Sequence, residues 1–82
     1  MQIHFKLFAT LMNYLPANAV KNVAILEVDE STTPNQLVDK YGVPRVQVHL
    51  VLINGLYVDE ADRDKPLNPG DVLAIWPPVA GG

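Results

Sequence analysis

The sequence predicts a single α+β domain, in which one main helix covers one face of a mixed sheet of about five strands. Three observations support this prediction: apolar and polar residues alternate over positions 2–7, a capped helix begins at Thr33, and residues 72–76 form a wholly apolar strand. A chain of 82 residues has room for one domain. Its composition, 49 % hydrophobic and 18 % charged, indicates a folded core rather than disorder.

The first elements are a strand, a short helical turn and a second strand. Period-two alternation over residues 2–7 is typical of a strand with one buried face. Residues 10–15 are expected to form a helical turn, and residues 23–28 a second strand. Phe8 falls on the polar side of the first strand, so it either packs on the domain as a satellite or is an exposed anchor for a partner.

The helix has clear signals at both ends. Thr33 can cap the first turn, Pro34 suits the first helical position, and Gln36 completes a capping box. Gly42 suits the left-handed residue after the helix, and Pro44 prevents its continuation.

A β-hairpin is predicted after the helix. Residues 46–53 are rich in β-branched and aliphatic side chains, as expected for a strand. The dipeptide Asn54-Gly55 favours a type I′ turn, and residues 56–58 return as the partner strand. The polar residues 59–65 are expected to be a loop.

The last strand, residues 72–76, follows a type II turn at Pro69-Gly70 and ends at two prolines. Because it has no polar residue, we expect it to be buried on both faces and central in the sheet, beside the first strand. The order β-β-α-β-β-β, with hairpin-linked pairs on either side, is the β-grasp arrangement. We expect a β-grasp domain over residues 1–76 and an extended, flexible tail over residues 77–82.

Composition and motifs exclude several functions. The chain has no cysteine, and its net charge is −3 with scattered basic residues, so we expect no nucleic-acid partner. No signal peptide or membrane-spanning run is evident, so we expect a cytoplasmic protein without membrane contact. No phosphate-binding glycine motif occurs, His4 and His49 are predicted on separate strands, and residues 59–64 lack the pattern of a calcium loop. We therefore expect no active site, bound cofactor or metal of its own.

The C-terminal residues 77–82 carry the candidate chemistry. Two prolines hold the start of the segment extended, and the six residues could reach about 20 Å at ~3.3 Å each. Without a Cβ, Gly81 and Gly82 can enter a narrow channel of another protein. The Gly82 carboxylate is a poor electrophile until it is activated, and a partner must activate it because this chain has no nucleotide site. The plain alternative is a frayed end.

These residues resemble the MoaD/ThiS family of ubiquitin-like sulfur carriers over essentially the whole chain. The resemblance rests on Phe5-Lys6-Leu7-Phe8-Ala9, residues 33–42, Leu52-Ile53-Asn54-Gly55, Pro69-Gly70-Asp71-Val72 and, most specifically, Trp76-Pro77-Pro78-Val79-Ala80-Gly81-Gly82. This ending is similar to the molybdopterin synthase branch of the family more than to its thiamine branch. The residue Trp76 replaces the phenylalanine common in the family and is expected to be a core aromatic or an interface anchor.

The resemblance implies a mechanism. An E1-like enzyme would adenylate Gly82 with ATP and magnesium, and a sulfur donor protein would convert the carboxylate to a thiocarboxylate. The molybdopterin synthase large subunit, in a heterotetramer, would then receive the tail and transfer the sulfur to a pterin precursor for a molybdenum or tungsten cofactor. Gly81 and Ala80 would be the narrow thread behind Gly82, and Pro77, Pro78 and Val79 would line up the exit.

Two alternatives remain at this stage. The same tail chemistry could serve thiamine or another sulfur metabolite, or could attach the chain to a lysine of a target protein as a ubiquitin-like modifier. In the other alternative, the chain is a β-grasp binding module with an inert tail.

Overall fold

The computed structural model describes residues 1–78; the predictions made for residues 79–82 lie outside this part of the chain. The described chain forms one α-helix, three short 3₁₀ helices and five strands. The strands are β1 (Gln2–Leu7), β2 (Val23–Glu27), β3 (Leu50–Ile53), β4 (Leu56–Tyr57) and β5 (Val72–Trp76), and the α-helix is α1 (Pro34–Lys40). The 3₁₀ helices are Ala9–Tyr14, Arg45–Gln47 and Glu60–Asp62.

The five strands form one mixed sheet in the order β2-β1-β5-β3-β4. β1 and β5 run parallel to each other, and every other neighbouring pair is antiparallel. The predicted central position of the last strand, beside the first, is therefore confirmed. This is the β-grasp, ubiquitin-like fold that the order of elements predicts.

The core lies between the sheet and α1. Ile3, Phe5 and Leu7 of β1 are completely buried, and the alternation that predicts this strand is confirmed. From the helix, Leu37 and Val38 complete the same cluster. These side chains face one side of the sheet only, because successive residues of a strand point to opposite faces.

The helix is capped as its sequence predicts. The Gln36 N–H donates to Thr33 Oγ1 at 3.1 Å, and the Thr33 N–H donates to Gln36 Oε1 at 3.1 Å. At the other end Gly42 has φ +74°, and the Val43 N–H donates to the Val38 carbonyl at 2.9 Å. Local residues therefore satisfy backbone groups at both ends of this seven-residue helix.

The two predicted turns are confirmed. Asn54 and Gly55 have φ +52° and +82°, as a type I′ hairpin requires. At the second turn, Gly70 has φ +81° and the Asp71 N–H donates to the Asn68 carbonyl at 3.1 Å.

The predicted strand over residues 46–53 is too long. Residues 45–47 form a 3₁₀ helix, and β3 begins only at Leu50, so His49 does not lie on a strand. Val46 is 83 % exposed. The physical reason is the end of the neighbouring strand: the His49 N–H donates to the Trp76 carbonyl at 3.0 Å, and the next residue, Pro77, has no N–H to continue the ladder.

Candidate functional site

The C-terminal segment starts from a firmly held position at the end of β5. The Phe8 N–H donates to the Ile75 carbonyl at 3.1 Å on one side, and the His49 N–H donates to the Trp76 carbonyl on the other. Pro77 and Pro78 then end the strand as predicted. The root of the segment is thus the end of the central strand, whose last two carbonyls accept hydrogen bonds from Phe8 and His49.

The proposed working residues, Val79, Ala80, Gly81 and Gly82, lie outside the described residues. Their predicted roles as thread and covalent site remain predictions. Pro77 is half-buried and Pro78 is exposed, and these are the last residues whose positions bear on the site.

Two aromatic rings stack at this root. The Phe8 and Trp76 ring centroids are 4.0 Å apart, and the ring planes differ by 8°. Both side chains are half-buried, and neither belongs to the buried core cluster. The prediction of Trp76 as a core aromatic is therefore wrong. Its neighbour Ile75 faces the core, so the alternation of the strand turns Trp76 to the opposite side.

The stacked pair is part of a larger apolar area on the face of the sheet that points away from α1. Register places Leu50 beside Trp76, Leu52 beside Ala74, and Tyr57 beside Leu52. We call the following residues the open-face patch: Phe8, Leu50, Leu52, Tyr57, Ala74 and Trp76. Sequence reasoning placed only its two aromatics, Phe8 and Trp76, at a possible interface. The uninterrupted apolarity of β3 and β5 was the signal for Leu50, Leu52 and Ala74, because a strand with one polar face would alternate.

Two basic side chains border the patch on β1. Lys6 lies in register with Ala74, and His4 lies in register with Val72. Both are half-buried. The His4 Nδ1 atom is buried and has no hydrogen-bond partner among residues 1–78. The face beside the root of the tail therefore combines apolar side chains with basic ones.

Two further polar features of the described chain are an exposed ion pair and a buried arginine. Hydrogen bonds from Arg45 hold the pKa of Asp39 below its ordinary value, in an exposed bidentate pair with N–O distances of 2.8 Å. Arg63 is buried, donates from Nε to the Val58 carbonyl, and lines a cleft of about 330 Å³ whose walls carry charges of both signs. Residues 1–78 contain no group of three or more His, Asp or Glu side chains placed to hold a metal ion.

A larger cleft, of about 470 Å³, lies between α1 and the strand ends at Met1 and Val28. It adjoins neither Trp76 nor the two prolines. Within the described chain no helix is long and apolar enough to cross a bilayer.

A family model described as Mut7-C ubiquitin matches residues 1–81. Among solved structures, SAMP1 from Haloferax volcanii is 25 % identical, with 100 % of both chains covered and a TM-score of 0.69. A second structure, of small archaeal modifier protein 1 from H. volcanii, is 24 % identical over 95 % of this chain and 98 % of that one, with a TM-score of 0.67.

The third similar structure is the protein–protein complex of subunits 1 and 2 of molybdopterin-converting factor from Helicobacter pylori. Its matched chain is 18 % identical, both chains are covered completely, and the TM-score is 0.63. At 18 % identity, this similarity supports the fold alone. No curated protein matches the sequence significantly.

Proposed function

The chain belongs to the Mut7-C ubiquitin family, and from this premise we propose that it is a sulfur carrier whose working group is the carboxylate of Gly82. The main support is the end of β5. A central strand, hydrogen-bonded as far as Ile75 on one side and Trp76 on the other, leads into a sequence of two prolines followed by Val-Ala-Gly-Gly. The end of this strand fixes the point from which the C-terminal segment leaves the domain, and we propose that a partner binds the last residues of that segment.

In the proposed reaction, an E1-like enzyme joins the Gly82 carboxylate to the α-phosphate of ATP, with magnesium, and releases pyrophosphate. A sulfide equivalent from a donor protein then displaces AMP, so that one carboxylate oxygen is replaced by sulfur. The resulting thiocarboxylate is a stronger nucleophile than the carboxylate and can pass its sulfur to an acceptor. Because glycine has no Cβ, Gly81 and Gly82 fit a channel too narrow for other residues, followed by Ala80 and Val79.

We propose that the open-face patch is the surface that such partners bind. Phe8 and Trp76 are its aromatic anchors, since large rigid rings contribute strongly to interfaces. Their position beside Pro77 would let a partner hold the domain and the tail together. The H. pylori structure, a complex of subunits 1 and 2 of molybdopterin-converting factor, supports a synthase large subunit as one partner. We further propose that this subunit and the present chain assemble as a heterotetramer. The acceptor in that case is the pterin precursor of the molybdenum or tungsten cofactor.

A second candidate function has its own support. The likeness to SAMP1 and small archaeal modifier protein 1 favours a modifier, in which Gly82 forms an amide with a lysine of a target protein. Sulfur delivery to thiamine or another metabolite uses the same chemistry with a different acceptor. The two functions differ in product: a carrier returns to the free carboxylate, and a modifier accumulates as covalent conjugates.

Intact mass tests the proposal. The protein isolated from its own cells is weighed first, to establish that it ends at Gly82, and again after incubation with ATP, an E1-like enzyme and a sulfur donor. We expect exchange of one oxygen for sulfur at Gly82. The control is Gly82→Val, which should unfold at the same temperature as the parent because the last described strand ends six residues earlier, at Trp76, yet should not be loaded. An unchanged mass of the parent with its cognate enzymes would favour the inert-tail alternative.

A further inference from the structure

Lys6 lies at the border of the open-face patch, within reach of a partner that covers the patch. On one side its register partner is Ala74, a member of the patch, and on the other side it is Val23 of β2. Lys6 also stands two residues before Phe8, so both side chains leave β1 toward the same face. Its side chain is half-buried. An apolar stem packed on a sheet with the ammonium at its tip is the usual arrangement for such a lysine.

The Lys6 ammonium has no ion-pair partner among residues 1–78. The described ion pairs join Met1 to Glu27, Arg45 to Asp39 and Lys65 to Asp62. Glu27, the acidic residue on the same face of β2, is four residues along that strand from the partner of Lys6, which is about 13 Å at ~3.3 Å per residue. This distance exceeds the screening length of about 8 Å in physiological salt. The patch therefore has a positive border, although the protein carries a net charge of −3.

Ala74, beside Lys6, is buried and only 7 % exposed. It is the smallest side chain of the patch, with Trp76 two residues further along β5, and with Lys6 and Leu52 on the neighbouring strands. A partner on the patch would therefore contact the larger side chains around Ala74, including that of Lys6. A partner placed there takes water away from the Lys6 ammonium, and an ammonium that loses water without gaining an acceptor opposes binding.

We propose that the E1-like enzyme, as the partner that binds the open-face patch, places an Asp or Glu carboxylate against Lys6. The inference rests on the proposed function, which supplies the partner, and adds the chemistry by which that partner is recognised. A charge pair at the border of an apolar interface affects the association rate and the choice of partner more than it affects the apolar contact.

The test is binding of the full chain to its E1-like activating enzyme, at low and physiological salt. Lys6→Gln should weaken binding about tenfold, Lys6→Glu about a hundredfold, and Lys6→Arg less than about threefold, because arginine keeps the charge. Lys40→Gln is the matched control: it changes the net charge equally, but Lys40 lies on α1, across the sheet. Its affinity should equal that of the parent, and the salt dependence of binding should be lost in Lys6→Gln but kept in Lys6→Arg and Lys40→Gln.

Equal affinities for Lys6→Gln and Lys40→Gln would overturn the inference, since the ammonium would then reach water at the edge of the interface. If Trp76→Ala nevertheless abolished binding, the proposed function would stand. Failure of the parent itself to bind its cognate enzyme would overturn both. Unfolding temperatures of the Lys6 variants should stay within a few degrees of the parent, which separates a binding effect from a folding effect.

Discussion

The two faces of the sheet use the same strands for different purposes. On the face toward α1, Phe5 and Leu7 of β1 pack with Leu73 and Ile75 of β5, and all four are completely buried. On the other face the intervening residues include Phe8 and Trp76, which keep part of their surface in contact with solvent. The comparison teaches that the second face of an apolar strand can be only partly covered by its own chain: on β5, Ala74 is buried there but Trp76 is not, and we propose that a partner binds this face.

The difference between the faces is sharpest at Ile75 and Trp76, which are adjacent in the chain. Ile75→Ala removes a completely buried side chain from the central strand, so we expect the free energy of unfolding to fall by about 2–5 kcal/mol. Urea denaturation of parent and variant measures this loss. In a domain of this size such a loss is a large share of the total stability. A variant as stable as the parent would contradict the central role of the core face.

Trp76→Ala should have the opposite effects: a small loss of stability and a large loss of partner affinity. Loss of the ring stack on Phe8 is expected to cost about 0.5–1.5 kcal/mol of unfolding free energy, less than the Ile75 change, because the ring is only half-buried. Partner affinity should fall at least tenfold, as for an aromatic anchor. Denaturation together with a binding titration checks both values. A loss of stability as large as that of Ile75→Ala would mean that the two faces do not differ in the way described.

The smallest effect on stability is expected at the exposed ion pair of Asp39 and Arg45, which belongs to neither face of the sheet. Arg45 lowers the pKa of Asp39 below its ordinary 3.8, so the pair stabilises the fold above that pH and the contribution is lost as the pH falls through the lower, folded-state value. Because both groups are exposed, the effect is small. Asp39→Asn should therefore match the parent at neutral pH to within a few degrees in melting temperature, and lose slightly less stability than the parent below about pH 4. Thermal scans across this range check the sign; a steeper acid loss in the variant would contradict it.

The predictions from sequence were most accurate where a residue type favours one particular local backbone structure. The capping residues Thr33 and Gln36 and the Asn54-Gly55 turn are all found as predicted, because their signals depend only on backbone groups a few residues away. Only part of the candidate site could be predicted from the sequence. Phe8 and Trp76 could be named, but Leu50, Leu52 and Tyr57 join them only through strand pairing between distant segments.

The amino-acid sequence was sufficient for the number, order and type of the main elements, and for the central position of β5, since alternation, caps and apolar runs each reflect local physical preferences. Tertiary structure alone decided two things. The first is the start of β3, which depends on the last hydrogen bond that its neighbour β5 can make, at Trp76. Which side Trp76 faces depends on which residues of an entirely apolar strand meet α1. Such a strand has no polar residue to mark its outer face, and only packing against the rest of the chain selects one.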